Sequence, residues 1–309
     1  MTYICVVGSI NVDLTCYLPR WPDRGETISA LRTQTGLGGK GANQAVAARR
    51  LGANVHLIGA IGADPFGADC ALALRQADIT PHLMEATKTA TGMALIDVGP
   101  SGDNIIRLAH GANYDLDLAF LDQHRAVIEG CAVLLLQNEI PVEISIAAAQ
   151  LAKAAGALVI MDPAPAPSAP WGPDVLHHFD VITPNTHEAG LLLGSTPRTL
   201  ADARVAAANL ATMGPTGAIV TMGGDGVAWH VGADSGQMLP PETAVIDTVG
   251  AGDCFNGALA AYLAKTQTIS VAITAACAAA SLSTRRAGAA ASLPTLQEVQ
   301  NLLDGLAVA

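Results

Sequence analysis

The chain has 309 residues, of which 50% are hydrophobic and 14% charged, and its formal net charge is -11. That supplies enough apolar material for one large α/β domain with a sizeable core and excludes a disordered protein. The acidic balance excludes a broad electrostatic footprint on nucleic acid or an anionic membrane, since both need clustered Lys and Arg, so any phosphate bound here is held locally.

The six cysteines (Cys5, Cys16, Cys70, Cys131, Cys254 and Cys277) contain no C-x-x-C pair. Neither a zinc site nor a disulfide framework is suggested, and reduced, buried thiols in a cytoplasmic protein are expected. The start, Met1-Thr2-Tyr3-Ile4-Cys5-Val6-Val7-Gly8, lacks the basic region, apolar length and cleavage site of a signal peptide. Residues 3–8 read instead as a short central strand covered on both faces.

Asn11 and Asp13 follow that strand. In a parallel α/β sheet the ligand crevice lies beyond the carboxyl ends of the strands, so these two side chains are either ligand contacts or ordinary turn residues. From Leu14 to Thr35 a weak alternation is broken by Pro19, Pro22 and Gly25, and a similar patch recurs from Thr91 to His110 around the turn Gly99-Pro100-Ser101-Gly102-Asp103. Two such patches separated by α/β units predict a small antiparallel lid inserted at about 14–36 and 90–110 into one domain spanning 1–309. A lid of this kind needs its exposed face covered, by the ligand site, by a partner subunit or by both, and a homodimer paired through the lid is expected.

Between the patches, Gly36-Leu37-Gly38-Gly39-Lys40-Gly41-Ala42-Asn43-Gln44-Ala45 leads into a helical stretch stopped by Gly52. The Walker pattern fails because Gly41 follows Lys40, and no G-x-G-x-x-G follows the first strand. What remains is a close backbone approach to a ligand, with Lys40 and Asn43 as polar contacts, or a glycine-rich turn before a helix.

The α/β alternation resumes with a helix at 117–130, a strand Cys131–Gln137, a helix at 142–155 and a strand Leu158–Met161 before Asp162 and a Pro-rich loop. Glu139 sits after a strand end, as a site residue or as the commoner exposed loop glutamate. His177 and His178 lack a partner at metal-ligand spacing and read as surface residues. In Val181-Ile182-Thr183-Pro184-Asn185-Thr186-His187-Glu188, Asn185 and Glu188 are either a capping pair or oxygen ligands that hold Mg²⁺ directly or through water.

A strand Ala218–Met222 enters Gly223-Gly224-Asp225-Gly226, which suits a ligand's approach or a hairpin turn, and continues as Val227–Val231. Strands at 237–239 and 243–246 are expected next, then helices at about 252–264, 270–284 and 295–306. The Ala-rich run Ala272–Ala280 is too short to span a bilayer and ends at Arg285 and Arg286. At the first of these helices, Asp247-Thr248-Val249-Gly250-Ala251-Gly252-Asp253 places small residues where N–H groups collect at the positive end of a helix dipole. Asp253 there is an N-cap or the working carboxylate of an anion site.

Two separated motifs, Gly38-Gly39-Lys40-Gly41-Ala42-Asn43-Gln44 with Gly52 and Gly62 downstream and Asp247–Asp253, together resemble the two signatures of the ribokinase-like (PfkB) carbohydrate kinase family. The resemblance covers essentially the whole chain. Gly8-Ser9-Ile10-Asn11-Val12-Asp13, His110-Gly111-Ala112-Asn113 and Pro163-Ala164-Pro165-Ala166 are most similar to members acting on ribose rather than on fructose phosphates or adenosine. The resemblance implies a three-layer α/β/α fold with a mostly parallel sheet and an antiparallel β lid, and ATP-dependent phosphorylation of the 5-hydroxyl of a pentose, D-ribose first.

Carried over position by position, it implies that Asp253 is the general base at the end of the catalytic run Gly250-Ala251-Gly252-Asp253, with the N–H groups of Ala251, Gly252 and Asp253 as the anion hole. Asn11, Asp13, Gly39, Lys40, Asn43, Glu139 and Asp253 itself become sugar contacts, and Asn185, Thr221, Gly223, Gly224, Asp225, Gly226 and Gly252 nucleotide contacts. Glu188 with Asn185 would support Mg²⁺, while Asp247, Val249, Ser283, Arg286, Gly288 and Ser292 would hold a monovalent cation, K⁺. Cys277 stands near the adenine, where related enzymes tend to carry His or Asn. The rival readings are a nucleoside kinase, for which four Phe, four Tyr and three Trp give little stacking surface, another sugar kinase of the family, and a non-catalytic sugar-binding protein.

Overall fold

In the computed structural model, which describes residues 2–308, the strands form two sheets. The strands are β1 (Ile4–Val7), β2 (Asn11–Tyr17), β3 (Arg32–Gly38), β4 (Val55–Gly62), β5 (Thr80–Ala86), β6 (Gly92–Val98), β7 (Asn104–Ala109), β8 (Val133–Gln137), β9 (Leu158–Asp162), β10 (Val181–Ile182), β11 (Gly217–Thr221), β12 (Val227–Val231) and β13 (Asp234–Met238). A nine-stranded sheet runs in the order β13-β12-β11-β10-β9-β8-β1-β4-β5, and a four-stranded sheet in the order β3-β2-β6-β7. The large sheet is parallel from β5 to β11, and only β12 and β13 are added antiparallel at one edge.

Alternation along the central strands divides the core into two layers. Ile4 and Val6 of β1 belong to one apolar cluster with residues of the helices Lys40–Arg50, Ala251–Leu263 and Ile269–Ser283. Cys5 and Val7 belong to the other, with residues of the helices Val142–Ala154, Thr186–Leu193 and Leu200–Ala211. This is the expected three-layer arrangement, and the carboxyl ends of β1, β8, β9, β10 and β11 all open on one edge.

The small sheet joins two hairpins: β2 with β3 and β6 with β7 are antiparallel, whereas the seam between β2 and β6 is parallel. Its first strand begins at Asn11, earlier than the expected Leu14, so Asn11 and Asp13 lie on that sheet rather than on a loop.

Three other expectations change. No strand forms at 243–246: the N–H groups of Ile246 and of Asp247 just after it both donate to the Thr284 carbonyl, at 2.7 and 3.1 Å, rather than to a neighbouring strand. The helix expected over 117–130 is two helices, Leu118–Gln123 and Arg125–Glu129, parted at His124, whose backbone (φ -107°, ψ 15°) leaves the helical region. The stretch between Gly52 and Ala90, for which no element was expected, contributes β4, the helix Pro65–Gln76 and β5.

Candidate active site

Asp253 owes its place to a helix start and a helix crossing. Gly250, at φ 77°, caps the helix Ala251–Leu263 in the left-handed conformation that glycine adopts without strain. The Ala251 N–H is already used, donating to the Thr248 carbonyl at 3.2 Å, so the expected anion hole narrows to Gly252 and Asp253. Their N–H groups fall in the first turn, where no intrahelical carbonyl is available, and the space beside Gly252 is open.

One turn further along the same face is Gly257. A β-carbon there would stand 2.5 Å from the Ala47 Cβ and 2.6 Å from the Gln44 carbonyl oxygen, so glycine lets this helix lie directly against the helix Lys40–Arg50. The contact brings Asp253 over Lys40, Asn43 and Gln44.

The Asp253 carboxylate, 5% exposed, accepts from Asn43 Nδ2 at 3.0 Å on one oxygen and from Gln44 Nε2 at 3.2 Å on the other, with Lys40 Nζ 3.8 Å away. Glu139 is 7% exposed, so the exposed-loop expectation for it fails. Its carboxylate accepts from the Ser9 hydroxyl at 2.5 Å and from the Lys40 backbone N–H at 3.1 Å, while the Gly41 N–H donates to Ser9 Oγ at 3.2 Å. The glycine-rich turn lies this close because Gly39, at φ 87°, has no β-carbon to strike the Ser9 and Asn11 backbone. On β2, Asn11 Oδ1 accepts from Asn113 Nδ2 at 2.7 Å, and Asp13 sits against Gly38.

All the residues implied as sugar contacts, Asn11, Asp13, Gly39, Lys40, Asn43, Glu139 and Asp253, line one cavity of about 530 Å³. Ala94, Ile96, Ile106 and Leu108 of the small sheet give it an apolar wall, and Val249 and Gly250 its far side. Asn43 Oδ1 is buried without a hydrogen-bond partner, an acceptor that a ligand hydroxyl would satisfy.

The electrostatics follow from crowded carboxylates. Burial, then Glu139 and Asp253, raise Asp13 to about 7. Burial alone would lower the Lys40 ammonium, but Asp253, Asp162, Glu139 and Glu188 outweigh it and hold the group above its usual value. Asp162 is raised well above the carboxylate range by burial, against the opposing pull of Lys40.

The residues that the resemblance implies as nucleotide contacts are not among those lining this cavity. Asn185 forms an isolated parallel bridge with Thr221 at the end of β11, and Gly223, Gly224 and Asp225 form an exposed turn. Thr183 donates to Asn256 Oδ1 at 2.7 Å, tying the end of β10 to the helix of Asp253.

Asn185 and Glu188 make a capping box: Asn185 Oδ1 accepts from the His187 and Glu188 N–H groups at 2.9 and 3.0 Å, and Glu188 accepts from the Asn185 N–H and Nδ2, each at 2.8 Å. An amide oxygen has two lone pairs, and both lone pairs of Asn185 Oδ1 are used in the cap. Each Glu188 oxygen keeps a lone pair, which fits a Mg²⁺ that takes one carboxylate, waters and substrate phosphates. Among the described residues no group of three or more His, Cys, Asp and Glu has metal-binding geometry. Cys277 is 5% exposed within the core cluster, where burial pushes its thiol up to about 12.

The cation set gathers in part. Asp247 accepts from the Val249 N–H at 3.0 Å and the Gly288 N–H at 2.8 Å, one on each oxygen, and Ser292, fully buried, donates to the Ala289 carbonyl at 2.8 Å. A single carboxylate with spare lone pairs beside backbone carbonyls and a hydroxyl fits a monovalent cation. The Arg286 side chain turns away to pair with Glu298, and the Ser283 hydroxyl bonds the Ala280 carbonyl at 2.8 Å, leaving only their backbones available.

Sequence reasoning missed Gln44, Ser9, Gln137 and Asp162 as parts of the site. The available signals were Gln44's place one turn after Lys40 and the strand-end positions of Gln137 and Asp162.

A family profile described as pfkB family carbohydrate kinase matches residues 1–296. The chain is similar to the ribokinase of Haemophilus influenzae, 38% identical over 302 residues, covering 97% of this chain and 98% of that one. It is also similar to the ribokinase of Bacillus subtilis, 37% identical over 306 residues, covering 98% and 100%. The solved structure of Arabidopsis thaliana ribokinase complexed with ribose and ATP superposes with a TM-score of 0.90 at 32% identity, covering 98% of this chain and 99% of that one.

Proposed function

The chain belongs to the pfkB family of carbohydrate kinases, and from that premise we propose that it transfers the γ-phosphoryl group of ATP to the 5-hydroxyl of D-ribose, giving ribose 5-phosphate and ADP. One observation carries the reading: the carboxylate at the open helix start, Asp253, shares its cavity with every residue implied as a sugar contact. Asp253 takes the hydroxyl proton as that oxygen attacks the γ-phosphorus in line and the bond to the β-phosphate oxygen breaks. The Gly252 and Asp253 N–H groups, at the positive end of the helix, face the charge on the transferring group. Asn43 and Gln44 aim the carboxylate, and the small sheet covers the sugar, keeping water from the phosphoryl group.

Mg²⁺, when bound, neutralises the β and γ oxygens of ATP, and Glu188 is the carboxylate that would hold it, directly or through water. The carboxylate of Asp247, the backbone around Val249 and Gly288, and Ser292 would hold K⁺, whose charge adds to that of the helix start. If so, replacing K⁺ by tetramethylammonium lowers kcat, and Asp247→Ala abolishes the difference. The small sheet exposes Ile105 (51%), and Leu31 (71%) stands just before its strand β3; a second copy would cover both, so a homodimer is expected by light scattering. Among the described residues no helix is long and apolar enough to cross a membrane, and all six cysteines are free, in keeping with a cytoplasmic enzyme.

The test is ADP release in the presence of pentoses, hexoses and nucleosides, one at a time, with Mg²⁺ and K⁺. The highest kcat/KM is expected with D-ribose. A nucleoside turned over better would overturn the substrate, and no sugar-dependent release would overturn the activity.

A further inference from the structure

Gln44 is fully buried, carries no charge and is not among the residues lining the cavity, yet its amide makes three side-chain hydrogen bonds. Its oxygen accepts from Gln137 Nε2 at 2.7 Å, which orients the amide nitrogen the other way. That nitrogen has two hydrogens, and both are used: one toward Asp162 Oδ2 at 2.9 Å, one toward Asp253 Oδ1 at 3.2 Å. Asp253 is therefore held at both oxygens, by Asn43 from the cavity side and by Gln44 from beneath.

We propose that Gln44 is a positioning residue for phosphoryl transfer, holding the plane of the Asp253 carboxylate so that one oxygen faces the sugar hydroxyl. The inference rests on the kinase reading above. Without Gln44 the carboxylate keeps one hydrogen bond, from Asn43, and the longer 3.8 Å ion pair with Lys40 Nζ, which attracts Oδ1 without fixing its direction, so the plane turns about the Asn43 bond. The loss falls on the proton transfer, which is sensitive to a displacement of about 1 Å, and not on sugar binding, which Gln44 does not touch.

The test compares the unaltered chain with Gln44→Met, which keeps the length and removes both donors, and with Gln44→Glu, which keeps the shape. For Gln44→Met, kcat is expected to fall at least about 10-fold while KM for ribose and for ATP stays within about threefold, with folding checked by thermal unfolding. For Gln44→Glu the signature is a pH profile. The new carboxylate, when ionised, repels Asp253 and Asp162 and donates nothing, whereas its protonated form donates one hydrogen bond. The variant's kcat relative to the unaltered chain should therefore recover as pH falls from about 8.5 to about 6. A folded Gln44→Met variant with kcat within about twofold of the unaltered chain, or with only KM changed, overturns the proposal. So does a Gln44→Glu ratio that does not change with pH. If the unaltered chain releases no ADP with ribose, the substrate reading falls instead, and the comparison is made on the sugar that the panel selects.

Discussion

The crossing at Gly257 gives a substitution remote from substrate with a calculable effect on the chemistry. In Gly257→Ala the new methyl group meets the Ala47 Cβ at 2.5 Å and the Gln44 carbonyl oxygen at 2.6 Å. Ordinary carbon contacts begin near 3.5 Å, so the two helices must part by roughly 1 Å. Asp253 lies one turn away on the moving helix, and Lys40, Asn43 and Gln44 are on the other. The 3.0 and 3.2 Å bonds to the carboxylate would stretch toward 4 Å, beyond hydrogen-bonding range.

A misplacement of that size costs about 100-fold in kcat, and overpacking costs about 1–3 kcal/mol of stability, a fall in Tm of several degrees. The assay is ribose-dependent ADP release alongside thermal unfolding. Adding Ala47→Gly removes the methyl partner but not the backbone oxygen at 2.6 Å, so the double variant should recover only part of both losses. A single variant with kcat within about threefold of the unaltered chain would refute the claim that this crossing sets the Asp253 position.

Asp253→Asn is expected to lose at least about 100-fold in kcat while ribose binding, measured by calorimetry, changes little. Near-normal turnover would remove it as the base. Asn43→Ala and Glu139→Ala should each raise KM for ribose far more than KM for ATP, and the reverse would move them out of the sugar site. Asp13, raised to about 7 by burial and then by Glu139 and Asp253, should accept sugar hydroxyls best when ionised. Ribose KM should therefore fall as pH rises through about 7, and Asp13→Asn should flatten that dependence. The same shift has a stability consequence. Between the usual carboxylate range and about 7 the folded chain binds a proton that the unfolded chain has released, so Asp13 costs stability progressively as pH rises across that window, and Asp13→Asn should remove that slope in urea titrations.

Much of this was legible in the residues because it rests on local rules. Continuous apolar runs gave β1, β8 and β9, and glycine positions marked the two ligand-facing turns at Gly39 and Gly250. What was not legible depends on partners distant in the chain. Gln44 looks like any helical glutamine until Gln137, Asp162 and Asp253, 93 or more residues away, converge on it. Glu139 reads as a loop residue because its burial comes from Ser9 and the Lys40 turn. The strand expected at 243–246 fails for the same reason: the distant Thr284 carbonyl takes the Ile246 N–H that a local rule assigns to a ladder.

The parallel seam between β2 and β6 also bears on how the molecule assembles. Each hairpin of the small sheet can form from neighbouring residues, but the seam pairs Asn11–Tyr17 with Gly92–Val98, and the chain between them must first build β4, the helix Pro65–Gln76 and β5. Long closures of this kind form late, after shorter-range contacts have offset their entropy. The seam is therefore expected to form after the two hairpins that it joins. Because Asn11 and Asp13 lie on it, their place in the cavity depends on this long-range pairing as well as on the approach of Glu139 and Asp253.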